Sequence, residues 1–258
     1  MRSRATYFIA IVAAACFRAY SEEPDSDRDV VAKVHAESSL LYSNLESFVC
    51  QERIERYRGY RGQTRGEYID TITSKVSFES GTERYTEVFQ NRAQRPSISS
   101  ISGAWSEGEY GTLLRQTRDL IESKPVRLEE RSTIDGEPAL VYSFPVDVNS
   151  TPWDLDIKRA HYPVPFITRI WVDSENGRVL KIERRSTEID PRSGIAEIDW
   201  SVRLQPVSVS GRQHLLPVAG RYSVSYADTG YREWNEISFA DYHRYGAEAS
   251  LRFDPPNQ

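Results

Sequence analysis

The sequence predicts an α+β protein, a strongly curved antiparallel sheet (half-barrel) with an N-terminal amphipathic helix packed on its concave face. Three observations carry this. One helical stripe, Val31, Val34, Leu41, Leu45 and Phe48, precedes a chain whose apolar period drops to two. Asp135-Gly136 and Asn176-Gly177 separate pairs of β-rich segments, and both dipeptides supply the positive φ angles of tight hairpins. Strict alternation then runs through Ala196, Ile198, Trp200, Val202 and Leu204 and through Tyr222, Val224 and Tyr226, the pattern of strands with one buried and one wet face. A sheet of about nine or ten such strands curls, and a helix with one apolar stripe plugs its hollow side.

Taken in order, Arg2 and Arg4 precede an apolar run over 7–15, too short to span a bilayer, with small residues at Ala19 and Ser21. Residues 1–21 therefore read as a signal peptide and 22–28 as a flexible acidic segment. Residues 29–253 read as a single globular domain and 254–258 as a loose tail. Ser26 and Asp29 form an S-x-x-D cap for a helix running to about Cys50. Strands are expected over 51–57, 67–78 and 84–90, with glycines between them. A short helix over 112–122 stops before Pro125. Hairpins follow at 127–134 with 138–146 and at 166–173 with 178–187, and the last strand is 232–239. Residues 149–165 lack a clear period and read as a long functional or mobile loop; the doubled tripeptide Tyr57-Arg58-Gly59-Tyr60-Arg61-Gly62 reads as a hairpin loop.

With 39% hydrophobic and 28% charged residues, the 258-residue chain has the balance of a soluble globular protein. It holds 28 Arg and 5 Lys at a formal net charge of -5, and loss of the leader removes Arg2, Arg4 and Arg18 and no acid, leaving -8. An acidic surface argues against nucleic acid as a partner, and no transmembrane segment is expected in the mature chain. Arg203 and Arg221 fall on the polar phase of strands, where neighbouring carboxylates are the expected partners. Only Cys16 and Cys50 occur, so the exported chain has no intramolecular disulfide; Ala13-Ala14-Ala15-Cys16 also fits a degenerate lipobox, through which Cys16 would anchor the protein. The address is exported, periplasmic or extracellular.

Reactive chemistry finds little support. His35, His161, His214 and His243 lack metal-ligand spacing, and the nearest approach, Asp154, Asp156 and His161, reads as polar loop. Ser106 resembles a nucleophile elbow, but Gly103 stands three residues before it instead of two. No phosphate loop is present, no cofactor is expected, and Cys50 reads as a small buried hydrophobe. The ligand-binding candidates are the aromatics expected to face the core, Trp105, Tyr142, Phe144, Trp171, Trp200 and Trp234, because core-facing residues of a half-barrel also line its pocket.

The run Leu45-Glu46-Ser47-Phe48-Val49-Cys50-Gln51, the hairpin from Ile170 to Ile182 and the segment from Phe239 to Glu248 resemble a family of exported bacterial proteins common in soil acidobacteria, whose motifs carry no known chemistry. At fold level the plan, above all the W-V-D-x-x-x-G hairpin from Trp171 to Gly177, resembles the outer-membrane lipoprotein carrier superfamily. That resemblance implies a curved half-barrel holding acyl chains under a helical lid, and it transfers no binding residue. The resulting expectation is a non-enzymatic exported protein binding a lipid or apolar small molecule. A cell-envelope protein-interaction or sensor module is the alternative, and an exported hydrolase the third reading.

Overall fold

The computed structural model describes residues 27–45, 48–63, 65–104, 108–157 and 159–244. The leader, Cys16, Trp105, Ser106 and the 254–258 tail lie outside the described residues. Helix α1 (Asp27–Leu45) leads into strands β1 (Phe48–Tyr60), β2 (Glu67–Glu79), β3 (Thr82–Gln90) and β4 (Ala93–Gln94). Helix α2 (Thr112–Ile121) precedes β5 (Arg127–Ile134), β6 (Glu137–Val146), β7 (Asp154–Ile157) and β8 (Ala160–Pro163). The chain continues through β9 (Phe166–Asp173), β10 (Val179–Ser186), β11 (Ile195–Val209), β12 (Arg212–Tyr226) and β13 (Tyr231–Arg244). Eleven strands form one sheet in the order β4-β3-β2-β1-β13-β12-β11-β10-β9-β6-β5, while β7 and β8 pair only with each other. The large sheet is antiparallel throughout, curved and not closed.

Period-two patterning turns one face inward. Ile54, Ile72, Phe144, Ile170, Ile182 and Trp200 belong to one continuous core, joined by Val34, Leu41 and Leu45 of α1 and by Leu113, Leu114 and Ile121 of α2. On β11 the inward set is Ile198, Trp200, Val202 and Leu204, as the alternation requires; a bulge before Glu197 hands the next inward place to Ile195 and exposes Ala196. The Asp135-Gly136 turn signal holds in full, while in Asn176-Gly177 only the glycine is left-handed. Asp135 and Gly136 have φ of 54° and 88°. In the W-V-D-x-x-x-G loop Gly177 has φ of 78°, and the Asp173 carboxylate accepts from the Glu175 backbone N–H (2.8 Å) and from Asn176 Nδ2 (2.7 Å). That motif is thus a loop-closing device, an acid at one end and a left-handed glycine at the other.

Four expectations need correction. The first helix ends at Leu45, and Phe48, Val49 and Cys50 begin β1, where Phe48 and Val49 pair with β13 on one side and Val49 and Cys50 with β2 on the other. Backbone bonds on both edges outweigh another helical turn. Tyr57, Arg58, Gly59 and Tyr60 are strand, and the turn starts only at Arg61. Gly59 breaks the strand signal because of packing: a Cβ there would lie 3.5 Å from the Trp234 ring and 2.9 Å from Gln63 Oε1. The stretch 149–165 contains the β7–β8 hairpin, a four-residue alternation too short to stand out. Strand β12 starts ten residues before Tyr222, at Arg212. Its pairing with β11 runs out to Val209 and Arg212, past the last partners of β10 at Arg203 and of β13 at Ala219. Pro206 and Pro217 sit in this two-stranded arm, where each strand has a free edge and a missing N–H removes no ladder bond.

Helix α2 starts at a glycine N-cap without a side-chain cap of its own. Glu83 of β3 supplies one: Oε1 accepts from the backbone N–H groups of Gly111 (2.7 Å) and Thr112 (2.9 Å), Oε2 accepts from that of Gly108 (3.1 Å), and the Tyr85 hydroxyl donates to the same carboxylate. A carboxylate at a helix N-terminus satisfies orphan donors and complements the helix dipole. Glu83→Ala is expected to lower unfolding free energy by about 2 kcal/mol, and Glu83→Gln, which keeps an acceptor, by less, as read from urea denaturation.

Candidate functional site

A cavity of about 1060 Å³ lies between the inward face of the sheet and its covers. Trp200 of β11 and Tyr222, Val224 and Tyr226 of β12 form the sheet wall. Thr112, Leu113 and Gln116 come from the first turns of α2, and Leu155 and Ile157 from the β7–β8 flap. Alternation explains the flap: Leu155 and Ile157 pack toward the core while Asp154 and Asp156 stay exposed. Its base is tied down, with Val164 N–H donating to Trp153 O (2.8 Å), Thr151 Oγ1 donating to Val164 O (2.6 Å), and the Trp153 ring meeting Phe166 edge-on at 5.5 Å. Tyr60, Tyr226 and Tyr231 contribute an aromatic rim, with Tyr226 and Tyr231 at 5.6 Å and Tyr60 and Tyr231 at 6.1 Å between ring centroids. Burial pushes the phenols of Tyr222 and Tyr226 above their ordinary range, so both are neutral at physiological pH.

Another part of the wall, Gly103 and Ala104, is held by a buried polar cluster. Arg56 grips Asp70 through two bonds of 2.6 Å and donates Nη1 to Ser102 O (2.7 Å). Gln90 Nε2 donates to Asp70 (2.6 Å), and Ala104 N–H donates to Glu233 (2.9 Å). Burial alone would raise the Asp70 carboxyl, but the hydrogen bonds from Arg56 and Gln90 hold it below the usual aspartate range.

The six aromatic candidates separate. Trp200 lines the cavity. Tyr142 and Phe144 are buried in the same core without reaching the cavity wall. Trp171 and Trp234, expected on the core face, sit on the opposite one. Trp171 joins Ala139, Val141 and Leu180 in a small outer cluster under Lys181 and Arg169, whose cations stand 4.3 and 5.0 Å from its ring centroid. Trp234 stacks on Tyr57 at 5.7 Å beneath the loop holding Gly66. In both cases the neighbouring residue, Ile170 or Asn235, takes the inward phase. Trp105 lies outside the described residues.

Cys50 is fully buried, and burial pushes its thiol well above the ordinary range, away from nucleophilic use. Asp156 pairs with His161 across the exposed flap, and among the described residues no three His, Cys, Asp or Glu side chains are grouped to hold a metal ion. No described helix is long and apolar enough to cross a membrane. Sequence reasoning missed two groups at this site. Gln116 gives no signal of its own, while Arg184 falls in the same inward phase as Ile182, two residues earlier, which would have found it.

No known family pattern matches the chain, and no curated protein does. Among solved structures, the chain is similar to a LolA superfamily protein from Nitrosomonas europaea, at 15% identity and a TM-score of 0.38 over 83% of this chain and 91% of that one. A putative outer-membrane lipoprotein-sorting domain from Vibrio parahaemolyticus matches at 12% identity and 0.39 over 83% and 92%. A DUF1329 family protein from Desulfovibrio piger matches at 10% identity and 0.43 over 87% and 97%.

Asp70→Asn is expected to cost about 3–5 kcal/mol at neutral pH, because Arg56 stays buried without a counter-charge. With its folded pKa lowered, the Asp70 contribution is fully present above the unfolded aspartate value near about 3.9 and is lost as pH falls through the folded value. Denaturant titrations across acidic pH should therefore show a flatter decline for the variant than for the parent.

Proposed function

We propose that the protein is an exported, non-enzymatic binding protein that holds a lipid, an acyl group or another apolar ligand between its curved sheet and its helices. The observation that carries this reading is the cavity of about 1060 Å³ walled by Trp200, Tyr222, Val224, Leu113, Leu155 and Ile157. Its volume matches the upper end of the roughly 300–1,000 Å³ typical of small-molecule sites. Apolar ligand surface buried there contributes about 25 cal/mol per Å². Helices α1 and α2 cover the hollow side of the half-barrel. The β7–β8 flap, which pairs with no strand of the large sheet, is the element that moves to admit the ligand. Export through the 1–21 leader fits this use, with lipidation of Cys16 as a means of tethering. Of the sequence candidates, Trp200 is the ligand contact, backed by Tyr142 and Phe144.

Native mass spectrometry and lipid extraction of protein purified from its own periplasm are expected to recover a bound amphiphile at near-stoichiometric level; only ligand-free protein would refute the reading. Leu155→Trp adds bulk from the flap and not from the main sheet. It is expected to reduce the recovered lipid several-fold while leaving thermal stability close to that of the parent.

A further inference from the structure

Arg184 is fully buried on the inward face of β10, and among the described residues it forms no ion pair with any carboxylate. Its guanidinium is held entirely by α2: Nη1 donates to Gln116 Oε1 (2.7 Å), and Nη2 donates to Thr117 Oγ1 (3.0 Å) and Leu113 O (3.3 Å). The group stacks over Phe166, 4.6 Å from the ring centroid, and its Nε–H has no acceptor. Burial lowers its pKa to about 9, which still leaves it charged at neutral pH. A buried cation without a counter-charge is costly, because three neutral acceptors and the Phe166 ring offset only part of the hydration it has lost.

Arg184 is the cross-strand partner of Trp200, whose indole Nε1–H is also buried without an acceptor. Leu113, Gln116 and Trp200, all in the Arg184 surroundings, line the cavity. Gln116 accepts from Arg184 through its oxygen, so its Nε2 donors are not spent on that contact. Behind this wall, therefore, lie buried donors without acceptors and a positive charge without a counter-charge, and what satisfies both is an anionic acceptor. The carboxylates on the cavity wall, Asp154, Asp156 and Asp228, belong to the flap and the turn before β13 and repel an anion from their part of the rim.

We infer that the ligand is an anionic amphiphile whose tail fills the apolar cavity and whose carboxylate or phosphate head seats at Gln116 and Trp200, over the charge of Arg184. This rests on the reading of the cavity as an apolar-ligand site and names the chemistry of its occupant.

The test uses the delipidated protein and three probes of equal chain length, palmitate, methyl palmitate and palmitoyl lysophosphatidate, each displacing a neutral fluorescent lipid. At least one anionic probe is expected to bind about tenfold or more tightly than the methyl ester, and the tighter of the two identifies the head as carboxylate or phosphate. Arg184→Met is expected to abolish the preference for the anion, bringing the affinities for the anionic probes down to that for the ester, whatever the loss of its grip on α2 does to both. Equal affinity of the parent for palmitate, lysophosphatidate and the ester overturns the anionic head but leaves the apolar site standing, and this comparison needs no variant. Undiminished anion preference in Arg184→Met overturns the role of Arg184. Failure of all three probes and of the neutral lipid to bind overturns the cavity reading itself.

Discussion

The fold is governed by a mismatch between the apolar face the sheet presents and the elements available to cover it. Eleven strands spaced about 4.8 Å apart would span roughly 50 Å if flat, whereas a helix with its side chains covers only about 10–12 Å. Among the described residues, two α-helices and a hairpin of four-residue strands leave most of a flat sheet exposed to water. Curling reduces the deficit, because inward residues of distant strands then pack on one another, as Ile54, Ile182 and Phe144 do within one core. The deficit that curling leaves is the cavity beside α2.

The tethers on α2 measure that curvature. Glu83 on β3 caps its first residues, and Arg184 on β10 grips Leu113, Gln116 and Thr117, about a turn further on. In the sheet order six inter-strand steps separate β3 from β10, roughly 29 Å along a flat sheet. A ten-residue helix is only about 15 Å long, and the two grips span just its first half. Both contacts exist only because the sheet bends its two sides toward each other. The same tethers set the position of Leu113 and Gln116, so sheet curvature, helix placement and cavity shape form one geometric solution.

Much of this was legible from local chemistry. Hairpins marked by Asp135-Gly136 and by the Asp173 to Gly177 loop follow from turn residues acting over a few positions, and Trp200 follows from a strand whose two faces differ strongly. The failures have a common cause. Strand β9 carries Ile170, Trp171 and Val172 in succession, and the outward tryptophan is covered by the cations of Arg169 and Lys181 together with Ala139, Val141 and Leu180 of neighbouring strands. Trp234 is likewise covered by Tyr57 and the Gly66 loop, both distant in sequence. The arm from Leu204 to Pro217 was obscured by prolines that are acceptable only because β10 and β13 stop short of it. Where facing or continuity depends on which strands are neighbours, periodicity along one strand does not decide it.

Arginine usage gives the last step. On the outer face the guanidinium groups pair with carboxylates near them in the sheet, Arg58 with Glu67, Arg169 with Glu129 and Glu130, and Arg185 with Asp199. Such exposed pairs contribute little individually. Arg56 carries the same pairing inside, where Asp70 neutralises it and the pair anchors a loop. Arg184 departs from this pattern in a chain where Asp and Glu outnumber Lys and Arg by 38 to 33. Acidic residues are abundant, yet the described partners of Arg184 are a carbonyl, an amide and a hydroxyl, and the indole of Trp200 beside it also lacks an acceptor. In the proposed reading, the counter-ion of Arg184 arrives with the ligand and leaves with it.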